Sequence, residues 1–217
     1  MSDKNFGYIG KKVNQSFGNN NGVLGTEEIN QLVEDDKFSQ YGQLELIETR
    51  TVTTPTLELD WTDIKENVYD NHLLIFNNVQ TDTATQHLGM RLSVNGGTSY
   101  LSSQYDWSGD YVVSSGGSGN NYTTTNAWWY LSGPFGNLTN ETADGYAVLY
   151  NFGNELDFAS YTSKDIQINH SAVLQYGNNT GHRDTTERIN AFRLYLHSGT
   201  ANIISGTFSL YGYKVYK

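Results

Sequence analysis

A chain of 217 residues with 13% aromatic residues has apolar mass for one sizeable β domain plus an extension, or for two small domains. Its net charge of −10 excludes a nucleic-acid partner, which needs a basic footprint, and the absence of cysteine excludes both disulfides and thiolate metal sites. Two Pro against 22 Gly, amid abundant Asn, Thr and Ser, suits many short strands joined by turns.

Residues Met1 to Tyr8 carry no apolar h-region, and no apolar run approaches the ~18 residues that would span a bilayer. Neither a signal peptide nor membrane insertion is expected. The Asn-x-Ser/Thr sequons at Asn14, Asn121, Asn137, Asn140, Asn169 and Asn178 then follow from an Asn/Thr-rich composition.

The chain divides on pattern into an arm over 1–42 and a β domain over 43–217. The arm scatters apolar anchors among Gly and Asn, too few to bury a core alone and too many for a solvated tail. Within it, residues 26–35 predict a short helix: Thr26 is a plausible N-cap, Glu27 and Glu28 suit the helix N-terminus, and Ile29, Leu32 and Val33 form one stripe. About ten residues is marginal for an isolated helix, so the stripe must pack, either on its own domain or on neighbouring subunits. Phe6, Tyr8, Phe17, Leu24, Ile29, Leu32 and Val33 are the docking candidates.

From Gln43 the period becomes two. Strands are expected over 43–53, 56–61, 69–79 and 88–94, the last pairing with 69–79 and ending in the Asn95-Gly96-Gly97 turn. A polar loop over 114–121 precedes an aromatic strand over 126–131. Strands over 146–151, 165–176 and 187–197 follow, then Ser205 to Tyr216. In that final strand Phe208, Leu210 and Gly212 share one face, opposite Thr207, Ser209, Tyr211 and Tyr213. A terminal strand this apolar must be paired, and it is read as a central strand of the main sheet. Eight to ten strands with short turns predict an all-β fold, a jelly-roll-like antiparallel sandwich with an N-terminal extended arm.

Catalytic chemistry finds no motif. There is no Gly-x-Ser-x-Gly, the five His show no metal-ligand spacing, and Glu155 and Asp157 look like solvated loop acids. No catalytic residue, metal or cofactor is expected. His72 and His170 read as strand residues. The aromatics Trp107, Tyr111, Tyr122, Trp128 and Trp129 cluster near the Gly/Ser loop, where they could form a core, a subunit interface or a platform for sugar rings. Trp128 and Trp129 are adjacent, so on a strand one points inward and the other out.

The blocks Leu59-Asp-Trp-Thr-Asp-Ile64, Tyr69-Asp-Asn-His-Leu-Leu-Ile75, Leu88-Gly-Met-Arg-Leu-Ser-Val-Asn-Gly-Gly97 with Tyr100, and Ser205-Gly-Thr-Phe-Ser-Leu-Tyr-Gly212 resemble a set of tailed-bacteriophage virion proteins. The resemblance covers roughly residues 56–105 and 187–214. It lacks the usual Pro between Ile64 and Tyr69, and Gly97 stands where Asp or Thr is commoner. It implies a non-enzymatic structural component of a virion, capsid-decorating or of the tail or fibre, made in the host cytoplasm. Its partners would be other virion proteins and copies of itself, often three-fold on particles. The alternative is a carbohydrate-binding module or adhesin that binds a host glycan.

Overall fold

The computed structural model describes residues 44–213 and, before them, Asn30 alone. Apart from Asn30, the helix expected over 26–35 lies outside the described residues, as do all seven docking candidates. Of the two units into which the chain divides, Met1–Tyr41 and Gly42–Lys217, the second holds every described strand. There are twelve of these: β1 (Leu44–Val52), β2 (Glu58–Trp61), β3 (Asn71–Thr81), β4 (Gln86–Ser93), β5 (Tyr105–Val113), β6 (Ser118–Asn126), β7 (Trp129–Phe135), β8 (Ala143–Tyr150), β9 (Ser160–Ile168), β10 (Leu174–Arg183), β11 (Ala191–Leu196) and β12 (Ile203–Tyr213).

They form two antiparallel sheets, ordered β1-β12-β3-β8-β9-β10-β5-β6 and β2-β11-β4-β7. With the hairpins β5–β6 and β9–β10 set aside, the order is β1-β12-β3-β8 over β2-β11-β4-β7. That is the winding of a jelly roll, with β1 to β4 alternating between sheets. The two hairpins lengthen only the first sheet, which therefore overhangs edge strand β7 of the second.

Three expectations are corrected. The strand at 88–94 does not pair with that at 69–79. β4 pairs with β11 and β7, and β3 with β12 and β8, because the chain crosses between sheets instead of turning back as a hairpin. The segment 165–176 is two strands broken at Asn169, where the chain turns through Ala172 at φ 56° and leaves His170 in the turn. The loop expected over 114–121 is only a hairpin tip, since β6 already begins at Ser118. Its Gly, Ser and Asn residues line an exposed edge, where low β propensity is tolerated.

The final strand lies between β1 and β3, as its apolar alternation requires. Phe208 and Leu210 are fully buried, opposite the half-exposed Thr207, Ser209, Tyr211 and Tyr213. Burial of such a side chain contributes about 1.5–3 kcal/mol. At Gly212 a Cβ would stand 2.2 Å from the Tyr69 ring, so that ring lies flat on the strand. The Tyr69 and Leu-Tyr-Gly motifs thus belong to one packing unit, and the Tyr69 hydroxyl donates to Glu45 on β1. His72, buried on β3, has Nε2 2.7 Å from the Ile64 carbonyl, which can only accept. Residues of the virion-protein resemblance therefore act here as packing and turn residues.

The candidate aromatic and polar groove

Among the described residues β7 pairs along its length with β4 alone, and its other edge makes a single backbone bridge, from Phe135 to Asn169. That edge faces the inner surface of β9 and β10, which is polar where a jelly roll is ordinarily apolar. An unpaired strand edge buried in protein needs donors for its carbonyls, and side chains supply them. Tyr161 Oη donates to Tyr130 O at 2.6 Å, Ser163 Oγ to Leu131 O at 3.0 Å, and Gln175 Nε2 to Gly133 O at 3.2 Å. Alternate residues on β9 and β10 thus close the stretch of edge before Phe135 that backbone pairing leaves open.

Asp165 sits within this layer and is almost wholly buried. Its Oδ2 accepts from Ser132 Oγ at 3.1 Å, whereas Oδ1 finds no hydrogen-bond partner among the described residues. Burial pushes its carboxyl up to about 7, against the lowering effect of Ser132 and the Gly133 N–H. A cavity of about 10 Å³ opens beside it, bounded by Tyr111, Tyr130, Gly177 and Asn179. That is room for roughly one water molecule, which would answer the orphaned oxygen.

Outside the cavity the aromatic rings form a ribbon. Trp107 of β5 stacks on Tyr130 of β7 at 5.0 Å between centroids and 21° between planes. Tyr130 in turn lies 6.0 Å from Trp128 at 25°. Trp128 rests on Gly89, where a Cβ would stand 2.8 Å from its ring. Beyond it His197 packs at 6.2 Å and Tyr195 at 6.4 Å, with Arg91 over the Tyr195 ring. His87 reaches Tyr130 Oη through Nδ1 at 2.8 Å, and burial, followed by the nearby His197 and His170, lowers its pKa to about 4.

Of the five aromatics singled out in the sequence, Trp107 and Trp128 meet on Tyr130 and Tyr111 lines the cavity. Tyr122, 78% exposed, stands alone across from Ser108 on the opposite face of the hairpin. Trp129 belongs to the core, fully buried against Tyr161 and Tyr105. Trp128 and Trp129 therefore point to opposite sides of the strand, as adjacency requires. Sequence reading missed Tyr130, although its spacing of two from Trp128 places both rings on one face. It also missed Asp165 and Asn179, for which no local pattern existed. Glu155 and Asp157 are exposed in the loop between β8 and β9.

Comparison with protein-family models, curated proteins and solved structures found no match to this chain. The groove is therefore interpreted on its own geometry: flat rings beside amides and one buried carboxyl, on a floor kept open by glycines.

Proposed function

We propose that the chain is a non-enzymatic structural component of a tailed-bacteriophage particle, capsid-decorating or tail- or fibre-associated, that docks through its N-terminal arm. The observation that carries this reading is the outer face of the eight-stranded sheet. Leu44 and Leu46 are 51% and 57% exposed on edge strand β1. Register continues from Leu46 to Tyr211, Leu73 and Val148 on β12, β3 and β8. Farther across the sheet, Ile166, Tyr176 and Val112 form a second exposed apolar row on β9, β10 and β5. Apolar rows of this extent on a soluble face suit burial against further copies of the chain, as in a symmetric particle assembly. The resemblance to virion proteins supports the same reading, since its blocks fall on the jelly-roll strands and not on the inserted hairpins.

Native mass tests the self-association. Full-length protein is expected to be an oligomer, and Leu46→Lys combined with Ile166→Lys to lower its mass while strand content stays constant. Deleting residues 1–42 is expected to abolish incorporation into particles. Monomers at every concentration, together with full incorporation of the truncated protein, would overturn the proposal.

The aromatic ribbon favours a second reading, capture of a host glycan, because sugar rings pack on aromatic side chains such as the partly exposed Trp107 and Trp128. Quenching of Trp fluorescence by host polysaccharide, lost in Trp107→Ala and Trp128→Ala with the fold intact, would support it. Unchanged fluorescence at saturating polysaccharide would exclude it.

A further inference from the structure

On the other face of β5 from the aromatic ribbon, three potential ligands converge from two distant parts of the chain. Asp106 stands directly across from His182 in the β5–β10 register, and Asp184 follows two residues later. His182 Nε2 is 3.1 Å from Asp184 Oδ1, and one ligand atom from each of the three residues lies within 4.8 Å of the others. The His182–Asp184 contact accounts for two of these groups. It leaves Asp106 Oδ1, which is enclosed by protein and has no hydrogen-bond partner among the described residues. An enclosed carboxylate oxygen without a donor is costly, and a cation shared with His182 and Asp184 would satisfy it.

We propose that Asp106, His182 and Asp184 form a divalent-cation site. One imidazole nitrogen and two carboxylates suit zinc or a similar first-row metal better than magnesium or calcium, which prefer an all-oxygen shell. Ligand atoms about 2.0–2.2 Å from zinc stand roughly 3–4 Å apart, so small side-chain rotations close the present spacing. The side chains of His182 and Asp184 are 45% and 47% exposed, which leaves the remaining coordination positions to water. The cation would tie β5 to the end of β10. On the inner side the same junction is already held by Arg183, which donates to Ser103 O at 2.5 Å and to Glu187 Oε1 at 2.6 Å. The site thus fastens the inserted hairpins to one another from the second side, and it stands independently of the virion and glycan readings.

Calorimetry with Zn²⁺ on full-length, chelator-stripped protein tests this, with a melting scan alongside. One saturable Zn²⁺ per chain and a raised Tm are expected. Asp106→Asn and His182→Gln should each weaken binding at least about tenfold and cancel the rise in Tm. His170→Gln, which alters an exposed imidazole in the turn between β9 and β10, should change neither. Metal-free circular dichroism and melting of each variant separate loss of the site from loss of the fold. No saturable binding below about 1 mM, or binding indifferent to Asp106 and His182, would overturn the proposal. Tighter binding of Ca²⁺ than of Zn²⁺ would overturn the assignment to an imidazole-seeking metal.

Discussion

The carboxylate of Asp165 lies against the bare Cα of Gly177, its register partner on β10, where a Cβ would stand 2.4 Å from Oδ1. The glycine makes room for an acid in the interior, and the interior in turn raises that acid's pKa from 3.8 to about 7. Between those values the folded chain keeps a proton that the unfolded chain has released. The contribution of Asp165 to stability is therefore best near pH 4 and falls as pH rises to 7, by at most on the order of 4 kcal/mol. Asp165→Asn is expected to raise the urea midpoint at pH 8 and to change it little at pH 4.5. Gly177→Ala should destabilise at both pH values, because its clash is steric. A wild-type-to-Asn difference that does not vary with pH would refute the buried acid.

Two histidines act in the opposite direction. Burial lowers His72 to about 4, with the Ile64 carbonyl and Asp70 opposing, and burial also leads the causes that lower His87 to about 4. In the unfolded chain each takes up a proton near pH 6.5. Their contribution is complete above pH 6.5 and is lost as pH falls towards 4. His72→Gln, which keeps a donor for the Ile64 carbonyl, should narrow the gap between melting temperatures at pH 7 and pH 5, even if it lowers both. An unchanged gap would show that His72 protonation does not drive the acid transition.

The strands of the jelly roll were legible because their apolar periodicity is strong: β3, β11 and β12 alternate cleanly or are continuously apolar. The inserted hairpins were not, since β6 reads Ser-Gly-Asn-Asn-Tyr-Thr-Thr-Thr-Asn and has no apolar face to display. β9 and β10 were fused for a related reason. Their inward residues Ser163, Asp165, Gln167, Gln175 and Asn179 serve the buried edge of β7, so they break the hydrophobic alternation that marks a strand. Within the groove, the ribbon was half visible through Trp107 and Trp128. The acid and amides behind it depend on sheet order, which no local pattern encodes.

The opposite fates of Trp128 and Trp129 give a direct contrast. Trp129→Ala would open a cavity between Tyr105, Tyr161 and Phe152 and should cost about 3–5 kcal/mol. Trp128→Ala exposes Gly89 and a face of Tyr130 but empties no enclosed volume, so its cost should be clearly smaller. Urea unfolding followed by circular dichroism measures both. Equal costs would mean that the outward ring is as structural as the inward one, which would weaken its candidacy as a ligand platform.

Arg183 gives the sharpest test of how the inserted hairpins are held. Its side chain is only 2% exposed and lies over the Tyr105 ring, with Nη2 donating to Glu187 and to Thr185 Oγ1 at 3.0 Å, and Nη1 to Ser103 O. Removing a buried cation from such a set leaves the Ser103 carbonyl without its donor and Glu187 with Thr185 Oγ1 but no countercharge, a loss of about 3–5 kcal/mol. Arg183→Ala is expected to show a loss of that size. Arg183→Lys should recover little of it, because one ammonium cannot reach Ser103 and Glu187 as the planar fork does. Glu187→Gln should cost less than either, since the amide oxygen still accepts. A lysine variant as stable as the wild type would mean that charge alone holds the junction, and that the directed hydrogen bonds to Ser103 and Glu187 contribute nothing further.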